Sequence, residues 1–127
     1  MSSSTRGINN GLARLKPQAE KAEQAAIVML LERLGAKIWV LGTRRPKGDY
    51  PGTRQTPGLP DLLVCLPRCA RLGWRMTRLE IEVKTKQGRT SDAQLEYQAL
   101  CRATGISHIL GGLDDVLAWL RARGYVR

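Results

Sequence analysis

Three side chains that can do chemistry together stand in two short apolar runs, DLLVCL (61–66) and RLEIEVK (78–84). In the second run a period of two puts Glu82 and Lys84 on one face of a strand and the leucine, isoleucine and valine on the other. If the runs pair as a hairpin, the carboxylate of Asp61 reaches the Glu82 side of the sheet. Two carboxylates beside a lysine suit phosphodiester hydrolysis, because hard oxygen ligands hold Mg²⁺ and leave positions for water and a phosphate.

The elements that must position this group follow from periodicity and turn residues. Apolar residues at i, i+3, i+4 and i+7 predict a helix that starts after Pro17 and stops at Gly35. A capping box of Ser91 and Gln94 predicts a second helix, which Gly105 ends. The predicted order is helix, strand, strand, strand, helix, strand, helix. Such an order indicates an α/β fold with a mixed β-sheet flanked by helices.

The 127-residue chain has the size of one domain. Residues 1–16 are rich in Ser, Gly, Asn and Arg without periodicity, so we expect a flexible basic N-terminal arm before a domain at 17–127. No apolar run approaches the roughly 20 residues that span a bilayer. The sequence therefore predicts no membrane association.

Cysteine usage indicates a reducing compartment. The chain shows no secretion signal and has an odd number of cysteines, so free thiols in a cytoplasmic protein are expected. A zinc site made from these cysteines and the single histidine is disfavoured, since paired ligand motifs are absent. The residues concerned are Cys65, Cys69, Cys101 and His108.

The formal net charge is +10, from 21 basic and 11 acidic residues, and nucleic acid is the partner that this charge favours. Residues 42–60 are dense in Gly, Pro and Arg, a composition that breaks regular structure and exposes cations. Such cations bind phosphates without reading bases, which predicts recognition of DNA shape and strong salt dependence. The candidates for DNA contact are Arg44, Arg45, Lys47, Arg54, Lys86 and Arg89.

Two stretches, GLPDLLV (58–64) and IEVKTKQGRTSDAQ (81–94), resemble the VRR-NUC (virus-type replication-repair nuclease) family of the PD-(D/E)XK nuclease superfamily. The proline–aspartate pair, the Glu-x-Lys element and the following Gly and Gln are specific when they occur together in this order. The resemblance extends from about Lys16 to Val126. It implies a restriction-endonuclease-like core and a Mg²⁺-dependent endodeoxyribonuclease, in which Mn²⁺ can replace Mg²⁺.

The same resemblance implies a substrate and an assembly. Stand-alone members of the family resemble endonucleases that cut branched DNA such as Holliday junctions, and a homodimer suits two symmetric cuts. No nucleotide cofactor is implied. A phage origin would suit so compact a chain, with action in the cytoplasm of a bacterial or phage-infected host cell.

The resemblance also assigns residues to the site. The catalytic positions carry over to Glu20, Asp61, Glu82, Lys84 and Gln94, and the metal positions to Glu20, Asp61, Glu82 and the backbone carbonyl of Val83. Glu80, on the same strand face, is expected either to substitute for Glu82 or to support it.

Two of these assignments have rivals within the sequence. Glu20 stands four residues before Gln24 as the family pattern requires, but Glu23 is a rival position on the same helix. Gln94 is expected to fix the lysine or to contact the DNA backbone, yet the capping box with Ser91 alone would explain a glutamine there. Both pairs of interpretations stay open on the sequence.

Two other functional classes compete with the nuclease hypothesis. A non-catalytic basic DNA-binding or architectural protein would use the same cations, although clustered carboxylates near phosphates bring it no benefit. An RNA-binding module of ribosomal type rests on charge and size alone, without a series of stacking aromatic residues. Dependence on a divalent metal discriminates cutting from simple binding.

Overall fold

The computed structural model describes residues 2–41, 58–69 and 75–127, with side chains described for 18–41, 58–68 and 75–127. Within these residues the order of elements is the one that the sequence predicts. The elements are α1 (Ser2–Arg33), β1 (Lys37–Val40), β2 (Leu62–Cys69), β3 (Arg75–Val83), α2 (Asp92–Thr104), β4 (Ser107–Gly111) and α3 (Leu113–Ala122).

The strands form one mixed sheet in the order β1-β2-β3-β4. β1, β2 and β3 are antiparallel neighbours, and the pairing of Leu62 with Ile81 confirms the predicted hairpin. β4 lies parallel to β3, because α2 carries the chain back across the sheet between them. Alternate side chains of β3 therefore lie on opposite faces of the sheet, and the two faces have different neighbours.

One face of the sheet carries the hydrophobic core. Leu79, Ile81 and Val83 of β3 are buried on it, since their positions alternate with the charged positions of the strand. The apolar stripes of α1 and α3 cover this face, and both stripes have the period that the sequence indicates. The buried residues on the helices are Ile27, Leu31, Val116 and Leu120.

The start of α1 differs from the expectation. The helix begins at Ser2 rather than after Pro17, so the proposed arm at 1–16 has a helical backbone in residues 2–16. A proline inside a helix removes one hydrogen bond and crowds the preceding turn. The LARLK run before Pro17 nevertheless consists of good helix formers, which favour a helical backbone there. No helix among the described residues combines the length and the apolar character of a membrane span.

Candidate active site

Asp61 lies at the open end of the β2–β3 hairpin, and its backbone is held on both sides. The Asp61 N–H donates to the carbonyl of Ile81 at 3.0 Å, and the Asp61 carbonyl accepts from Leu41 at 2.7 Å. The Val83 N–H donates to Asp61 Oδ2 at 2.8 Å. The carboxylate is therefore fixed through one oxygen, at the strand position next to Glu82.

Gly58 allows the loop before Asp61 to pack against the start of α2. Its φ is +91°, and an added Cβ would lie 2.6 Å from the carbonyl oxygen of Ala93. Both the backbone conformation and the close approach require glycine. The loop that carries Asp61 is therefore tied in place beside α2, the helix that carries Gln94.

Glu82 is a buried carboxylate with one satisfied and one unsatisfied oxygen. The residue is 5% exposed. Gln94 Nε2 donates to its Oε1 at 2.6 Å, whereas its Oε2 is buried without a hydrogen-bond partner among the described residues. Burial is the largest cause that raises the pKa of Glu82 to about 8, and the charge of Asp61 comes next. Lys84 lowers this pKa, and Glu20 raises it further.

Gln94 has two roles at once, because the two ends of its amide face different groups. Gln94 Oε1 accepts from the Ser91 N–H at 2.9 Å, and the Ser91 hydroxyl accepts from the Gln94 N–H at 3.1 Å. This is the predicted capping box at the start of α2. The amide nitrogen donates to Glu82 Oε1, so the side chain forms the capping box and also contacts the candidate site. The contact is made with Glu82 rather than with the lysine.

Glu20 and Glu23 have different neighbours, which distinguishes the two rival positions. An added Cβ on Gly88 would lie 3.1 Å from Glu20 Oε1 and 3.4 Å from Lys84 Cδ, so both side chains border this glycine. Glu23 Oε1 instead accepts from the Leu113 N–H at 2.7 Å, at the start of α3. A carboxylate there stabilises the helix N-terminus. Glu20 thus borders Lys84, whereas Glu23, which lines the cleft beside Lys84 as well, is bonded to the start of α3.

Glu80 is buried under α2 and is not part of the open cluster. Tyr97 donates its hydroxyl to Glu80 Oε2 at 2.8 Å, and the Cys101 thiol lies 3.4 Å from the same oxygen. Burial is the first cause that raises the pKa of both Tyr97 and Cys101, and the contact with Glu80 adds to it. His108 lies beside them with its ring 5.5 Å from that of Tyr97, and burial lowers the pKa of its imidazole.

The sequence interpretation missed these partners of Glu80. The signal that could have revealed them is the spacing of Gln94, Tyr97 and Cys101, which places three hydrogen-bonding side chains on one face of α2. A polar helix face must meet polar groups when it packs on a sheet. Glu80 and Glu82 are those groups.

The candidate site fits a divalent cation bound by few protein ligands. No group of three or more His, Cys, Asp or Glu side chains within 18–41, 58–68 and 75–127 is arranged to enclose a metal ion. Asp61 and Glu82 nevertheless place two carboxylates side by side, and the unpartnered Glu82 Oε2 is an oxygen that a cation would satisfy. Mg²⁺ commonly takes one or two carboxylates and keeps water or a phosphate in its other positions.

The residues expected to contact DNA are described in part. Lys86 and Arg89 are exposed in the segment between β3 and α2. Lys86 also borders a cleft of about 470 Å³ together with Lys84 and Gly88. The four cations of the long loop, Arg44, Arg45, Lys47 and Arg54, lie outside the described residues.

The mixed four-stranded sheet flanked by three helices, with Asp61, Glu82 and Lys84 at the end of its central hairpin, is a restriction-endonuclease-like α/β fold. Among solved structures, this chain is similar to one described as a VRR_NUC domain, with a TM-score of 0.58 and 25% sequence identity. The match covers 81% of this chain and 94% of that one. No family model matches the chain, and no curated protein matches it. The resemblance to a VRR-NUC domain is confirmed, and the match supports a nuclease-type function.

Proposed function

We propose that the protein is a divalent-metal-dependent endodeoxyribonuclease that hydrolyses phosphodiester bonds at the group formed by Asp61, Glu82 and Lys84. The buried Glu82 carboxylate carries this proposal, because its Oε2 lacks a partner among the described residues and Asp61 crowds it. A purely structural glutamate at this depth would have both oxygens hydrogen-bonded, since a buried polar atom without a partner is costly. Glu82 Oε2 is therefore an acceptor that a ligand can use.

The residues that would hold the cation are Asp61 and Glu82, with the backbone carbonyl of Val83 and with Glu20 from α1 beside them. When bound, Mg²⁺ supplies the positive charge that lowers the pKa of an attacking water and offsets negative charge on the phosphate; Mn²⁺ suits the same ligands. The hydrogen bond from the Val83 N–H fixes the position of the Asp61 carboxylate. Gln94 holds one oxygen of Glu82 and leaves the other toward the cation.

Lys84 is the positively charged side chain of the proposed site. It is half-buried, and its backbone N–H donates to the Gly111 carbonyl at 2.9 Å, which fixes the end of β3 against β4. Its ammonium group is close enough to lower the pKa of Glu82. We assign it the orientation of the attacking water or the stabilisation of charge that develops on the phosphate.

For the substrate we propose branched DNA, with the Holliday junction as the first candidate. The net charge of +10 and the exposed Lys86 and Arg89 beside the site support binding to a DNA backbone. A homodimer would place two such sites for paired cuts. The cytoplasm of a bacterial or phage-infected host cell is the compartment proposed, since a reducing environment suits the free thiols of Cys65 and Cys101.

The test is cleavage of a labelled four-way junction and of a matched linear duplex, with Mg²⁺, with Mn²⁺ and with EDTA. We expect metal-dependent cutting of the junction, lost in Asp61→Ala and in Glu82→Ala. Glu32→Ala, which removes an exposed acid from α1, is the matched control and should cut normally. Binding of both DNAs without cleavage in either metal would contradict the proposal and would favour a non-catalytic DNA-binding protein.

A further inference from the structure

A notch opens at the end of the sheet opposite to the candidate active site. β3 begins at Arg75, whereas its pairing with β4 begins only at Leu79, opposite Ser107. Residues 75–78 therefore extend beyond the start of β4. An open cavity of about 770 Å³ fills the resulting space, and Arg75, Arg78, Arg123, Thr77, Ser107 and Glu80 are among the residues that line it.

Three arginines are among the residues that line this notch. Arg75 and Arg78 are exposed, and Arg123 is half-buried. The Arg123 guanidinium lies over the ring of Trp119, 4.1 Å from its centre. A planar guanidinium held in this way loses little freedom when it binds an anion, and its fork of N–H groups matches two oxygens of a phosphate.

Stacking and a hydrogen bond fix the side chains next to Arg123. Trp119 stacks on Tyr125 with 6.2 Å between ring centres and 14° between ring planes. Tyr125 donates its hydroxyl to Thr77 Oγ1 at 3.1 Å, which joins the chain after α3 to the exposed end of β3. The notch is therefore built from packed side chains rather than from isolated surface arginines.

Glu80 is the acidic residue among those named in the lining, and its hydrogen bonds are made to α2 rather than to the arginines. Glu80 is 8% exposed and accepts from the Tyr97 hydroxyl, with the Cys101 thiol at the same oxygen. Its carboxylate is engaged under α2 rather than with the guanidinium groups in the opening. The Ser107 hydroxyl adds a neutral hydrogen-bonding group at the floor.

We infer that the notch binds phosphates of a DNA backbone and forms a second contact site for the substrate, away from the site of cleavage. This inference rests on the proposed function for the identity of the nucleic acid. At about 3.3 Å per strand residue, Arg78 and Arg75 stand about 13 and 23 Å from Glu82 along β3. At about 3.4 Å per base pair, these distances correspond to roughly four to seven base pairs of duplex. A short duplex is longer than this separation.

The test compares two variants that each lose two positive charges. Arg75→Gln/Arg78→Gln alters the notch, and Arg33→Gln/Lys37→Gln alters two exposed cations outside it, at the end of α1 and the start of β1. Binding to a short duplex is measured in EDTA over a range of salt concentrations. We expect the notch variant to lose about tenfold in affinity at about 150 mM salt, and its slope of log Kd against log salt to fall by about two. The control should change by much less. An equal loss in both variants, or no loss in the notch variant, would overturn the inference.

A direct readout separates DNA from an acidic peptide, which is another ligand for three arginines. The backbone amide resonances of Ile106 and Ser107 are followed by NMR during titration with the duplex and, separately, with an oligoglutamate peptide. Shifts with duplex support the inference, whereas shifts with the peptide alone overturn it. Cleavage by the wild-type protein is measured independently, so loss of the nuclease proposal and loss of the notch are distinguishable results.

Discussion

Glu80 and Glu82 stand two positions apart on one face of β3, and both accept hydrogen bonds from α2. Glu80 receives the Tyr97 hydroxyl and the Cys101 thiol and is enclosed by them. Glu82 receives one amide hydrogen from Gln94 and keeps a buried oxygen without a partner among the described residues. The same residue type on the same strand thus anchors a helix at one position and keeps a ligand oxygen free at the other. The neighbouring side chains, rather than the residue type, therefore determine the role of each glutamate.

The largest expected effect comes from replacing Glu82 with glutamine, which keeps the shape and removes the negative charge, and the same change at Glu80 is the comparison. Glu82→Gln should lower the rate of junction cleavage by about a thousandfold or more, because the cation loses a charged ligand. Glu80→Gln should keep the rate within about tenfold of the wild type, since its partners lie under α2. Single-turnover cleavage in Mg²⁺ measures both rates.

Equal losses of rate in the two variants would contradict the distinction between the glutamates. A thermal unfolding curve for each variant is the control, because a misfolded Glu80→Gln would imitate a catalytic loss. A lower midpoint in Glu80→Gln with a preserved rate is the signature of a structural anchor.

Gln94 offers the next test, because its side chain serves both the helix cap and Glu82. Gln94→Ala removes both contacts, whereas Ser91→Ala removes the serine hydroxyl from the cap and leaves the amide nitrogen on Glu82. We expect Gln94→Ala to lower the cleavage rate by about 10- to 100-fold, the usual effect of removing a group that orients a metal ligand. Ser91→Ala should cost about 1 kcal/mol of stability and little activity.

Cleavage rates and free energies of unfolding of both variants provide the comparison. If Ser91→Ala lowers the rate as much as Gln94→Ala, the helix cap explains the whole effect and the contact with Glu82 has no catalytic value. A titration of Mg²⁺ adds a second check, since loss of orientation should raise the metal concentration needed for half-maximal activity.

The sequence was sufficient for the order of elements and for the shared face of Glu82 and Lys84, because both depend on local spacing. Periodicity predicts the order of strands and helices, and alternation in β3 predicts that Glu82 and Lys84 share a face. The capping box of α2 is also local. Each of these features uses residues within a few positions of one another, so no tertiary information is needed.

The rest depends on how the elements pack, which spacing alone does not determine. Glu20 and Glu23 lie within one turn of α1, and only the position of α3 shows that Glu23 meets the Leu113 N–H. The partners of Glu80 come from a helix whose register on the sheet is set by tertiary packing. Pro17 is a strong sequence signal for a helix start, yet α1 continues through it.

The smallest expected effect is on stability, and it follows from the sign of the shift at Glu82. The pKa of Glu82 is about 8 in the folded protein against a model-compound value of 4.5, so between these values the folded state holds a proton that the unfolded state has released. Without metal, the free energy of unfolding should therefore fall as the pH rises from 4.5 to 8. Denaturant unfolding in EDTA at several pH values measures this fall.

Two variants are the controls: Glu82→Gln should lack this component of the slope, and Glu80→Gln should keep it. Mg²⁺ should reverse the loss near pH 8, because a cation favours the ionised carboxylate. A wild-type slope equal to that of Glu82→Gln would mean that Glu82 is ionised throughout this range, and the two glutamates would then differ less than their partners indicate.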